Sequence, residues 1–162
     1  MEDERVLQTW SIDDARIKIR KYCDYQERSV KNVRMKLIDH KIYGTLNETI
    51  ISELMVEDIL NEERYALGYA RGKFIYNQWG KMKIQKELSF EQIPNSIIFE
   101  ALLQIDEDDY QQAIGKLLKK KYAELKRREK DTQKLKKKLY QYLLQKGYSY
   151  TEVQPIMDNL KY

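Results

Sequence analysis

Apolar residues return every three or four positions from about residue 11 to residue 160, the spacing that stacks side chains on one face of an α-helix. The stretch Ile59–Leu88 shows it most clearly. Asn61 offers a short side-chain oxygen to the free N–H groups of a first turn, and Glu62 and Glu63 follow where the helix dipole favours negative charge. Tyr65, Ala66, Tyr69, Ala70 and Phe74 then form one stripe. Asn77-Gln78-Trp79-Gly80 breaks the pattern, and a second helix starting near Lys81 carries Ile84 and Leu88 inward. Upstream, Ser11 caps a helix with Ile12, Ala15, Ile19 and Tyr22 on its apolar face. Val30, Val33 and Leu37 mark the next helix, and Ile50 and Leu54 a third beyond the Tyr43-Gly44-Thr45 turn.

These positions repeat. Ala15, Val33, Leu37, Ile42, Ile50 and Leu54 recur 51 residues on as Ala66, Ile84, Leu88, Ile93, Ala101 and Ile105. Ile84, Leu88, Ile93, Ile98, Ala101 and Ile105 recur 55 residues later as Leu139, Leu143, Tyr148, Val153, Ile156 and Leu160. The spacing predicts an all-α, elongated array of three tandem three-helix repeats: residues 11–60, 61–105 and 106–162, after a leader at 1–10 from which Trp10 folds back onto the first helix. Taking Ala113 as the counterpart of Ala66, the first helix of the third repeat or its following turn is eight residues longer. Asp106–Asp109 and the capping box Ser149-Tyr150-Thr151-Glu152 mark helix starts, Gly147 marks a stop, and Pro94 suits a first turn. Pro155 removes a hydrogen bond from the last helix.

Six Gly and two Pro in 162 residues suit helices rather than a turn-rich β fold. The net charge of +4 hides a steep distribution. Residues 116–138 hold twelve Lys/Arg against Glu124, Glu129 and Asp131, net +9, and the remainder is net −5. Residues 16–36 are net +6, whereas Asp39, Glu48, Glu53, Glu57, Asp58, Glu62 and Glu63 form an acidic interval. Such alternation can fold into one basic and one acidic face.

Catalytic chemistry finds no constellation. His40, the single histidine, stands in an acidic, polar context that predicts a solvated side chain rather than a base. Gly68-Tyr69-Ala70-Arg71-Gly72-Lys73 lacks the spacing, the Ser/Thr and the strand-and-loop context of a phosphate loop. Asp106–Asp109 lacks the Gly and terminal Glu of a calcium loop, so capping accounts for it. One cysteine, Cys23, leaves neither an intrachain disulfide nor a thiolate zinc site. No cofactor or metal is expected. The acidic start MEDERV is unlike a signal peptide and no segment reads as a membrane span, so a cytoplasmic monomer is the default expectation.

The basic run carries the strongest physical signal. Lys116, Lys119, Lys120, Lys121, Lys126, Arg127, Arg128, Lys130, Lys134, Lys136, Lys137 and Lys138 can neutralise phosphates or meet an acidic protein surface. A solvated helix face is the competing account, and this run is longer and less balanced than solubility requires. Tyr122, Tyr140 and Tyr142 interleave with it. Stacking on unpaired bases is one role for them, although their spacing with Leu117, Leu118, Leu139 and Leu143 favours core packing.

One segment resembles a known family. Leu60-Asn61-Glu62-Glu63-Arg64-Tyr65-Ala66, then Tyr69 and Arg71, then Trp79-Gly80-Lys81, Ile84 and Leu88 resemble the central repeat of RecX proteins, small bacterial regulators of the RecA recombinase. The resemblance implies a curved, elongated body that lies in the groove of the RecA–DNA filament and inhibits ATP hydrolysis and strand exchange. It implies surface contacts at Arg64, Arg71 and Lys81, with Tyr65, Ala66, Tyr69, Ile84 and Leu88 holding the motif's core. Three places depart from the family pattern: Glu91-Gln92-Ile93, Gly44–Asn47 and Pro155. The leading expectation is a non-catalytic filament regulator whose partners are a RecA-type filament and single-stranded DNA. A generic helical DNA- or RNA-binding protein is the alternative.

Overall fold

A computed structural model describes residues 8–160, and the described residues form nine α-helices without a strand. They fall into three triplets: α1 (Ile12–Tyr25), α2 (Val30–Asp39) and α3 (Gly44–Val56); α4 (Glu62–Asn77), α5 (Lys81–Phe90) and α6 (Asn95–Leu103); α7 (Glu107–Leu125), α8 (Thr132–Lys146) and α9 (Tyr150–Asp158). Side-chain caps start most of them. Ser11, Asn61 and Asp106 accept from the amides of Asp14, Arg64 and Asp109, and Ser29 and Ser149 each close a full capping box. Pro94 sits one step earlier than a first-turn proline, at the cap of α6. Pro155 stays within α9, where it withholds a donor from the Thr151 carbonyl.

The repeat is visible in the backbone as well as in the core. Lys41, Gln92 and Gly147 close the middle helix of each triplet with left-handed φ values of 67°, 62° and 99°. The next amide reaches back each time: Ile42 to Leu37 (2.9 Å), Ile93 to Leu88 (3.1 Å) and Tyr148 to Leu143 (3.1 Å). These are Schellman closures, and the residue after each is buried as an anchor. Their spacings of 51 and 55 residues are those of the apolar pattern.

Two cores result. Trp10, Ala15, Ile19, Val33, Leu37, Ile50, Leu54 and Leu60 belong to the first triplet. The second and third triplets share a single core from Ala66 to Met157. At their joint Gly80 N–H donates to the Lys146 carbonyl (2.8 Å), and Met82 N–H to that of Gly147 (3.1 Å). Tyr110 and Tyr148, both fully buried with ring centroids 5.2 Å apart, seal the joint. Tyr110 Oη accepts from Lys81 N–H (2.9 Å), and Tyr148 Oη donates to the Gln78 carbonyl (3.0 Å).

The joint between the first and second triplets is polar instead. Glu91, just after α5, accepts from the Ser29 hydroxyl (2.8 Å) and the Asn32 amide (2.9 Å) at the start of α2. Lys31 donates to the Phe90 carbonyl (2.7 Å) alongside.

Two expectations are corrected. His40 is buried rather than solvated: its ring stacks on Trp10 at 3.7 Å and its Nδ1 lies 2.6 Å from the Gln8 carbonyl. Trp10, which covers it, is itself buried, folded back into the core of the first triplet as its sequence position suggests. Ala113 is only half-buried, and the buried row of α7 runs through Tyr110, Ile114, Leu117 and Leu118. The extra length of the third triplet is accordingly spread out: α7 has 19 residues against 16 in α4, α8 has 15 against 10 in α5, and the turn between them is also longer.

Candidate nucleic-acid interface

The two basic stretches of the sequence have opposite fates. In the first triplet three arginines are paired internally with the acidic interval. Arg16 makes a two-pronged pair with Glu53 (2.9 and 2.8 Å), Arg34 pairs with Glu48 (2.8 Å), and Arg20 pairs with Glu57. Each of these carboxylates is held below its ordinary range, chiefly by the hydrogen bond from its arginine. These three pairs halve the net +6 of residues 16–36 within the fold.

The run on α7 and α8 is different. Lys121 pairs with Glu124 (2.9 Å) and Lys138 with Glu129 (2.9 Å), which uses two of its three acids. The third, Asp131, caps α8 through the amides of Gln133 and Lys134. Lys116, Lys119, Lys120, Arg127, Arg128, Lys130, Lys134 and Lys137 are exposed and make no ion pair with a described carboxylate. Lys126 lies over the Tyr122 ring (5.1 Å), and Lys136 is half-buried. Leu117, Leu118, Leu135 and Leu139 anchor both helices in the shared core, so the cations project from a fixed frame. The arrangement offers several cations to a polyanion at no cost in broken internal pairs.

Other candidates separate. Arg64 does not present a free surface cation: it bridges triplets, donating to Glu27 (2.5 Å), Asp58 (3.1 Å) and the Asp58 carbonyl (3.0 Å). Arg71 is exposed, with no ion pair among the described residues. Lys81 pairs with Glu107 (2.9 Å) over the Tyr110 ring. Ala66, Ile84 and Leu88 are fully buried, whereas Tyr65 and Tyr69 are half-buried, their rings 5.9 Å apart. Partial burial pushes the Tyr65 hydroxyl up to about 12.

Sequence reasoning missed one feature. Tyr140 stacks on Tyr150 (centroids 4.9 Å apart, planes 20°) along a groove between α8 and α9 lined by Lys136 and Lys137. Tyr150 reads in sequence as the first residue after a cap, and nothing in the helical pattern brings it beside Tyr140.

Comparison with known proteins decides the family. Models of the second and third three-helix domains of RecX match residues 61–102 and 107–157. The chain belongs to the RecX family. It is 31% identical to "Regulatory protein RecX" of Clostridium acetobutylicum across 82% of this chain and 62% of that protein. With the Clostridium perfringens strain 13 protein of the same description it is 32% identical, across 76% and 57% of the two chains. The chain thus spans about three fifths of the length of these curated relatives. The crystal structure of RecX from Lactobacillus salivarius superposes with a TM-score of 0.82 at 26% identity, over 92% of this chain and 96% of that one. A second crystal structure of a regulatory protein RecX, at 23% identity and TM-score 0.80, shares the fold across 91% of this chain and 74% of that one.

The family models meet the chain on the two triplets that share one core, the same part that carries the exposed cations of α7 and α8. No helix among the described residues is long and apolar enough to cross a membrane.

Proposed function

We propose that this RecX-family chain is a non-catalytic regulator that binds the RecA–DNA filament and restrains its ATP hydrolysis, strand exchange and growth. The observation that carries the reading is the α7–α8 surface, where exposed cations without acidic partners among the described residues stand on helices anchored in a core continuous with the second triplet. A polyanionic filament repeats its sites at regular intervals. Separate weak contacts on one connected body add through effective concentration, which favours a repeating target over a single isolated strand. The alternative, a helical DNA- or RNA-binding protein acting through its basic face alone, draws on the same cations.

Co-sedimentation separates the two. Pre-formed RecA filaments on single-stranded DNA should carry the protein into the pellet at lower concentration than the same DNA without recombinase. Equal retention by naked DNA favours the alternative, and retention by neither overturns both.

A further inference from the structure

The α8–α9 groove has the chemistry of a nucleobase site. It encloses about 570 Å³ and is lined by Lys136, Lys137, Tyr140, Gln141, Leu144 and Tyr150, among others. Tyr150 is 56% exposed although it stacks on Tyr140. The Tyr140 hydroxyl donates to Gln154, whose amide donates in turn to Asp158 (2.9 and 3.1 Å). The floor ring is thereby held in place, and the aspartate lining the groove already has a hydrogen-bond donor. Gln133 and Gln141 on α8 are exposed amides able to pair with base edges.

The internal repeat shows that the three-helix scaffold does not need these rings. At offsets of 55 and then a further 51 residues towards the N-terminus, Tyr140 corresponds to Gln85 and Arg34, and Tyr150 to Asn95 and Gly44. The same closures and the same kind of core form around those residues. The aromatic pair is thus an addition specific to the third triplet, and it adjoins the exposed cations of α8.

We propose that this groove binds single-stranded nucleic acid, with an unpaired base stacking on Tyr150 to extend the Tyr140–Tyr150 pair and Lys137 meeting the adjacent phosphate. The proposal deepens the filament-regulator reading by placing the strand on the third triplet. Charge selects the class of partner: exposed Lys137 with the cations of α8 beside it, against one aspartate that already accepts from Gln154, favours a polyanion, and an exposed ring beside them favours one with unpaired planar bases. A duplex hides those faces and offers phosphate alone.

The test uses the full chain and no recombinase, so that its outcome is independent of filament binding. Fluorescence anisotropy compares a labelled oligo(dT) with an abasic deoxyribose-phosphate chain of equal length and charge, with a poly-glutamate peptide as competitor. Wild type should bind oligo(dT) about tenfold more tightly than the abasic chain, the order given by one stacked base. Tyr150→Ala should erase that preference, Tyr150→Phe should keep it, and Lys137→Gln should weaken both ligands alike. A far-ultraviolet spectrum confirms that each variant is folded. Equal affinity for the two ligands in wild type, or an undiminished preference in Tyr150→Ala, overturns the proposal. So does poly-glutamate displacing oligo(dT) as well as the abasic chain does, which would make the groove a site for acidic protein. Filament co-sedimentation that persists in any of these cases leaves the regulator reading standing.

Discussion

Replacing glycine by alanine at two places in this chain should shift stability in opposite directions. At Gly80, in the joint between the second and third triplets, a Cβ would lie 2.3 Å from the carbonyl carbon and oxygen of Gly147 and 2.5 Å from the Tyr148 nitrogen. All three are backbone atoms, so no rotamer change relieves the clash, and the two segments must separate. Overpacking of this kind costs about 1–3 kcal/mol. Separation also strains the Gly80–Lys146 and Met82–Gly147 hydrogen bonds, each worth roughly 0.5–1.5 kcal/mol. A loss of about 2–5 kcal/mol follows, which for a chain of this size lowers Tm by roughly 5–15 °C. At Gly68, within α4, nothing lies within 4 Å of the added methyl. There alanine should stabilise by about 0.5–1 kcal/mol, through helix propensity and a less flexible unfolded chain. Thermal unfolding followed by circular dichroism reads both. A Gly80→Ala variant as stable as wild type would refute the close joint, and with it the continuous core of the second and third triplets.

Further outcomes follow from the same geometry. Tyr110→Phe leaves the Lys81 amide without its buried acceptor and should cost about 1–3 kcal/mol in chemical denaturation. Glu48, Glu53 and Glu57 have carboxyl pKa values depressed in the folded protein, so their contribution is present above the unfolded value near 4.3 and is lost as pH falls through the folded values. Tm should therefore drop as pH is lowered below about 4.5, less steeply in an Arg16→Gln, Arg34→Gln variant. Replacing Lys119, Lys120, Arg127 and Arg128 with Gln should flatten the log–log salt dependence of single-strand binding by roughly 0.7 for each phosphate that is no longer neutralised, and an unchanged slope would return these cations to a solvated face.

The architecture was legible because three independent signals coincide in the sequence: apolar spacing, cap residues and a repeat offset. Asn61, Asp106, Ser149 and Gly147 act where their chemistry places them. Long-range pairing was not legible. His40 looks polar by its neighbours in sequence, yet Trp10 covers it from 30 residues away. Arg16, Arg20 and Arg34 read as part of a basic patch until α3 and the residue that caps it lay Glu48, Glu53 and Glu57 against them. Arg64 reads as a surface cation until Glu27 and Asp58 claim it. Counting charge along a chain cannot separate cations that are neutralised by folding from those left over; on α7–α8 most are left over because the local acids are too few, although Lys121 and Lys138 are paired.

The proposed role is tested most directly by the ATP hydrolysis of pre-formed RecA filaments on single-stranded DNA, measured as this protein is added with the DNA in excess. A filament regulator should lower the rate at well below one molecule per recombinase monomer, and extra DNA should not restore it. Inhibition that requires enough protein to coat the strand and vanishes when DNA is raised, or no inhibition at any ratio by the folded protein, would contradict the account.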